Sequence, residues 1–128
     1  MAILIKEITL FLESQSLGVL GTDLFYGQLT SSPDNQIGVL DSGGQPNNQS
    51  DVAVSIITIL IRNISFDLGM AKVLLIQTAL HNKINVLSGV VGTVHSAGFS
   101  YLPRLPIYMG VDESGRHIWS IECFVHVK

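Results

Sequence analysis

The chain has 128 residues, with seven Lys or Arg, ten Asp or Glu and a formal net charge of −3. That length suits one domain, residues 1–128, and 47% hydrophobic content supplies a core without disulfide or metal staples. Charged residues are only 13% of the sequence, so each serves roughly 390 Å² of the surface a folded chain of this mass exposes. Mean hydropathy is +0.44. Part of so charge-poor a surface is expected to be covered by other protein. The basic residues are scattered, which excludes an electrostatic footprint for nucleic acid. The longest apolar run, Val52 to Ile61, is ten residues interrupted by Ser55 and Thr58, against ~20 for a membrane span. Met1 to Ile5 has no basic n-region and meets Lys6 and Glu7 at once, so it does not read as a secretory signal. A lone Cys123 offers no internal disulfide and suits a reducing compartment. The chain reads as cytosolic and globular.

Residues 2 to 17 predict an amphipathic helix on Leu4, Ile8, Phe11 and Leu12, with Gly18 placed to end it in the left-handed conformation. Residues 23 to 29 and 36 to 41 predict strands, separated by the turn cluster Thr30 to Asn35. From Asp41 to Asp51 there is no apolar anchor, which predicts a long polar loop. Residues 52 to 63 predict the strongest strand, apolar on both faces and so covered on both. Ser65 is the expected N-cap of a second helix from Phe66 to about Lys83. Its expected core stripe is Phe66, Met70, Val73, Leu74, Gln77 and Leu80, with His81 and Lys83 in the last turn. A strand over 91 to 102 and a hairpin of 107–111 with 116–127 complete the order. The Asp112-Glu113-Ser114-Gly115 connection suits a type I turn closed by a bulge. The expected fold is α+β: two helices on one face of a mostly antiparallel sheet of about four to five strands, with a C-terminal β-hairpin.

No reaction chemistry assembles from these residues. Asp112 and Glu113 are consecutive in a tight turn and diverge, and the turn accounts for Asp112. His81, His95, His117 and His126 have no metal-ligand spacing, and the last two are nine apart on one strand, on opposite faces. Cys123 in mid-strand reads as a small hydrophobe. Gly43-Gly44 matches neither a P-loop nor a dinucleotide fingerprint. No catalytic residue, cofactor site or metal site is expected.

Five pieces recur in a recognisable order: Gly21 to Gly27, Pro33-Asp34-Asn35, Asp41 to Pro46, Arg62 closing the long strand, and Gly110 to Arg116 before the final strand. Over about residues 4 to 127 this order resembles the phage minor capsid and tail-terminator family of long-tailed bacteriophages. The resemblance implies a subunit of a hexameric ring on the head-proximal end of the tail tube. Such a ring halts tube polymerisation and presents the surface for head-completion or stopper proteins, with a tail sheath as a further partner if the tail is contractile. It also implies assembly in the host cytoplasm, residence at the tail–neck junction of the virion, and no cofactor. Net charge of −3 per copy, with no cluster of Lys or Arg, adds the expectation of a ring lumen through which DNA passes without specific binding. The loops 29–36 and 41–51 and the hairpin turn are the expected contacts, which nominates Pro33, Asp34, Asn35, Asp41, Gly43, Gly44, Pro46, Asp112, Glu113 and Arg116. The rival readings are another neck ring or minor capsid protein and, from a different class, a small cytosolic enzyme or ligand-binding α+β domain.

Overall fold

The computed structural model describes residues 4–45, 53–84, 87 and 97–127. The elements are α1 (Leu4–Ser14), β1 (Leu24–Tyr26), β2 (Gln36–Gln45), β3 (Ala53–Asn63), α2 (Phe66–Leu80), β4 (Lys83–Ile84), β5 (Ala97–Tyr101), β6 (Ile107–Val111) and β7 (His117–Val127). The strands form one sheet in the order β1-β2-β3-β7-β5-β4, with β6 pairing β7 alongside. Every pairing is antiparallel except β1 with β2. The α+β architecture and the C-terminal hairpin are as expected. The sheet is larger than four to five strands, with seven among the described residues; the strand outside every expected run is β4, where Lys83 and Ile84 leave the second helix to pair β5.

Alternation sorts each long strand into two faces. Ile57, Ile59 and Ile61 of β3, Trp119, Ile121, Cys123 and Val125 of β7, and Ile37 and Val39 of β2 are buried in one core. Ile8, Phe11 and Leu12 of α1 join it, as do Val73, Ile76 and Leu80 of α2, so both helices lie on the same side of the sheet. Each such aliphatic side chain contributes roughly 1.5–3 kcal/mol by leaving water. The other face of β3 is only half-buried at Val54, Ile56, Thr58 and Leu60. Cover on both sides, expected from its composition, is therefore incomplete.

Several boundaries differ from the expectation for identifiable reasons. α1 stops at Ser14, and Ser16, not Gly18, takes the left-handed conformation with φ 61°. Ser16 N–H donates to the Glu13 carbonyl at 3.0 Å and Leu17 N–H to the Leu12 carbonyl at 3.1 Å, closing a Schellman motif. Gly18 is instead a close approach, since a Cβ there would sit 3.1 Å from Leu24 Cβ. The polar stretch after Asp41 does not leave the sheet: β2 runs on to Gln45 through a register shift between Asp41 and Gly44. Gly43, at φ 92°, makes that shift possible, and its N–H donates to Asp41 Oδ1 at 2.8 Å. Ladder pairing uses the backbone and needs no apolar side chain, which is why composition missed it. The remainder of the expected 41–51 loop, including Pro46, and the 91–96 part of the expected strand lie outside the described residues.

Ser65 caps α2 as expected, its Oγ accepting from Leu68 N–H at 3.3 Å. The helix ends at Leu80, with His81 as an extended C-cap and Lys83 already in β4, so neither belongs to its last turn. Its buried stripe is Gly69, Val73, Ile76 and Leu80, whereas Phe66 and Leu74 are 45% and 50% exposed. Because α2 is apolar nearly all round, periodicity leaves its rotation undetermined. Gly69 decides it. A Cβ there would overlap the Cζ3 and Cη2 atoms of Trp119, so the helix presents its one glycine to the indole and seats at close range. Gly69→Ala should therefore lower stability by roughly 1–3 kcal/mol through overpacking, read as a fall in the urea midpoint. A gain in stability, as helix propensity alone demands, would refute this packing.

Candidate functional site

Arg62 closes β3 on the outer side of the sheet and is buried although its outer-face neighbours on that strand are half-exposed. Its Nε donates to the Asp34 carbonyl at 3.1 Å, and one terminal nitrogen donates to the carbonyls of Thr30 and Pro33 at 2.6 and 2.8 Å. The loop 27–35 is thus folded over the sheet end by a guanidinium fork on three backbone oxygens. Gln36, next to Arg62 across the β2–β3 ladder, repeats the device. Its Nε2 donates to the Thr30 and Pro33 carbonyls, and its Oε1 accepts from Thr30 N–H at 2.8 Å. Asn35 Oδ1 accepts from Ile64 N–H at 2.8 Å, tying the loop's far end to the start of the β3–α2 connection.

Arg116 joins the hairpin to the same loop. Its Nε contacts Asp112 Oδ2 at 2.8 Å, while one terminal nitrogen reaches the Ser31 carbonyl at 2.8 Å and Asp34 Oδ1 at 3.5 Å. Asp112 Oδ1 accepts from Ser114 N–H at 2.9 Å and Arg116 N–H at 3.0 Å, and Gly115 N–H closes the turn on the Asp112 carbonyl at 3.1 Å. The Arg116 backbone N–H, the Arg116 guanidinium and the Ser114 N–H hold the Asp112 carboxyl below its usual range. Burial, and then repulsion from Arg116, lower the pKa of Arg62, with Asp112 and Asp34 opposing. Pro33, Asp34, Asn35, Asp112 and Arg116, nominated from scattered positions, are therefore one connected cluster. Glu113 is exposed at the turn. Asp41 and Gly43 lie elsewhere, at the far end of β2, where Gly44 pairs Ser55. Sequence reasoning left Thr30, Ser31, Gln36 and Arg62 out of the nominated set. A lone Arg ending a strand of aliphatic residues was the available signal for the last.

Burial pushes the Cys123 thiol up to about 12, so it stays protonated at neutral pH. His117 stacks among Phe66, Tyr108 and Trp119, and His126 among Phe99 and Tyr101, in separate clusters. No group of three His, Cys, Asp or Glu residues that could hold a metal ion occurs among the described residues. A cavity of about 40 Å³ beside Lys72, Asp23 and Arg62 has room for a water, far below the roughly 300 Å³ at which ligand pockets begin. No helix among the described residues is long and apolar enough to cross a membrane. Among the described residues, thirteen large hydrophobic side chains are exposed, several of them on α2 and β6.

The α+β fold of the described residues, two helices on one sheet, is similar to that of a solved chain from the "Virion of native gene transfer agent (GTA) particle". The likeness has a TM-score of 0.62 at 12% identity and covers 94% of this chain and 92% of that one. The sequence matches none of the curated proteins. The chain belongs to the bacteriophage tail terminator protein family, whose model matches residues 11–127. It is accordingly a structural, virion-associated tail protein of phage type.

Two predictions follow from the cluster geometry. Arg62→Met leaves the Asp34 carbonyl without its donor and the Thr30 and Pro33 carbonyls with Gln36 Nε2 alone, and should cost roughly 1–3 kcal/mol in chemical denaturation. Cleavage by a nonspecific protease should concentrate within residues 29–35, and an unchanged cleavage pattern would contradict the tethering role. Because the folded pKa of Asp112 is depressed, its stabilisation is full above the ordinary value of 3.8 and is lost as pH falls through the lower, folded value. Thermal melts should show Asp112→Asn flattening the acid limb relative to the parent protein.

Proposed function

We propose that this chain, one domain over residues 1–128, is the ring-forming terminator of the tail tube. Six copies close a ring on the head-proximal end of the tube, stop its polymerisation and present the surface that meets the head-completion or stopper protein. The tail–neck junction is then its place in the virion, after assembly in the host cytoplasm, and it carries out no reaction. The observation that carries this reading is an apolar exterior on a member of the tail terminator family. A ring subunit must bury two different patches against its neighbours, and greasy, charge-poor surface is what such contacts consume.

The charge distribution supports a lumen that lets DNA pass. Arg62 and Arg116 are spent on the loop 27–35, Lys72 Nζ donates to the Leu17 carbonyl at 2.9 Å, and Arg104 lies 3.6 Å from Glu122. Binding by counterion release needs clustered, free cations; these four have partners within the chain, and the exposed Lys6 of α1 and Lys83 of β4 lie at opposite sides of the sheet. The loop residues Pro33, Asp34 and Asn35, the β2 residues Asp41, Gly43 and Gly44 with Pro46 beyond, and the turn residues Asp112, Glu113 and Arg116 are the proposed contacts with neighbours or tube. The Arg62 and Arg116 bonds hold two of these segments in one relative position, which lowers the ordering cost of docking.

The test is polymerisation of the tube protein of the same virus with and without this chain, followed by electron microscopy. The expected result is short tubes with a ring at one end that no longer lengthen when more tube protein is added. Tubes that keep growing in a molar excess of the chain would overturn the terminator assignment and favour a different neck ring.

A further inference from the structure

We infer that the flank of α2 together with strand β6 is the surface on which a second copy of this chain seats, an inference that rests on the ring-forming reading above. β6 pairs only β7 among the described residues, and no described strand pairs its other edge. Tyr108, Met109 and Val111 on this strand are all exposed, Met109 at 62%, and Tyr108 and Val111 pair Trp119 and His117 on the α2 side of the sheet. Phe66, at the start of α2, packs edge-on against Tyr108 with ring centroids 5.4 Å apart, which joins helix and strand into one patch. Leu74 continues it about two turns along the helix, and Leu68 and Leu75 extend it over the outward side.

Size and charge both point to a copy of the chain. Seven side chains about half exposed, at roughly 200 Å² each when fully accessible, present on the order of 700 Å² of apolar surface. That exceeds the roughly 300–600 Å² of the largest patch on a typical monomer and approaches the ~800 Å² per partner of a standard specific interface. β6 carries no charge, and α2 carries only Asp67 and Lys72, the latter engaged with the Leu17 carbonyl. A partner that docks here is recognised by shape and apolar area. Exposed Val19, Ile84 and Phe99 elsewhere on the described surface supply apolar material for the opposite side of a head-to-tail contact. The register shift between Tyr108 and Gly110, with Gly110 at φ 99°, and Pro106 just before the strand, limit extension of the backbone ladder. Contact is therefore made through side chains, which favours a closed assembly over an open-ended fibre of paired strands.

The test compares the full chain with a Leu74→Lys/Met109→Lys double variant by sedimentation velocity over a range of concentrations. Both positions are exposed, and far-UV circular dichroism checks the fold. The wild type should form multi-chain species, and the double variant should associate at least tenfold more weakly. Independently of the double variant, a photo-crosslinking residue at position 109 of the otherwise native chain should capture a second copy. A wild type that stays at single-chain mass up to its solubility limit, a correctly folded double variant that associates like the wild type, or a position-109 probe that captures no second copy overturns the inference. The tube-capping assay is scored separately. A chain that caps tubes but fails here sinks only this inference, whereas one that associates through the patch and leaves tubes growing sinks only the terminator assignment.

Discussion

The antiparallel ladder between β3 and β7 is the constraint on which the other parts depend. It pairs Ala53 through Asn63 with Val127 through His117 without a register break. Strands of period two held in that register must place Ile57, Ile59 and Ile61 beside Cys123, Ile121 and Trp119 on one face. Both helices settle on that face, since it is the one that offers continuous aliphatic surface. A slip by one residue would turn every one of these side chains to the half-exposed side. The other strands are additions to the pair: β2 and β1 beyond β3, and β5, β4 and β6 along β7.

At the Asn63–His117 end of that ladder, a buried charge organises the polar half of the molecule. Arg62 cannot shed its charge, so burial is tolerable only where oxygens meet its nitrogens, and the loop 27–35 supplies them from its backbone. The loop in turn is held where Arg116 can reach it, and Arg116 is aimed by the turn that Asp112 organises. A sheet end, a long loop and a hairpin become one rigid feature through two guanidinium groups. This arrangement also accounts for the surface character, because cations that would ordinarily solvate an exterior are used inside.

The apolar flank of α2 and β6 has the opposite character. Its side chains are exposed in the single chain, and the charges that usually interrupt such a surface are missing from β6 and scarce on α2. For a virion-associated tail protein this is consistent with a surface shaped for permanent contact rather than for solvent.

Some of this was legible in the residues alone. The β3 run, the Ser65 cap and the Asp112–Gly115 turn follow from local rules: strand period, a hydroxyl at a helix start, an Asp that accepts from its own turn. Scarcity of charge, summed over the whole chain, likewise announced exposed apolar side chains without saying where. What only tertiary structure decided was everything set by close approach between distant segments. The rotation of α2 depends on the fit of Gly69 to Trp119, fifty residues away, and a helix apolar on nearly every side carries no period to reveal it. The continuation of β2 past Asp41 rests on backbone pairing, to which side-chain composition is blind. The union of Pro33, Asp34 and Asn35 with Asp112 and Arg116 depends on where two chain reversals bring a pair of arginines. Sequence determines which groups need partners; the fold decides which partners they find, because that choice is a matter of distance in space.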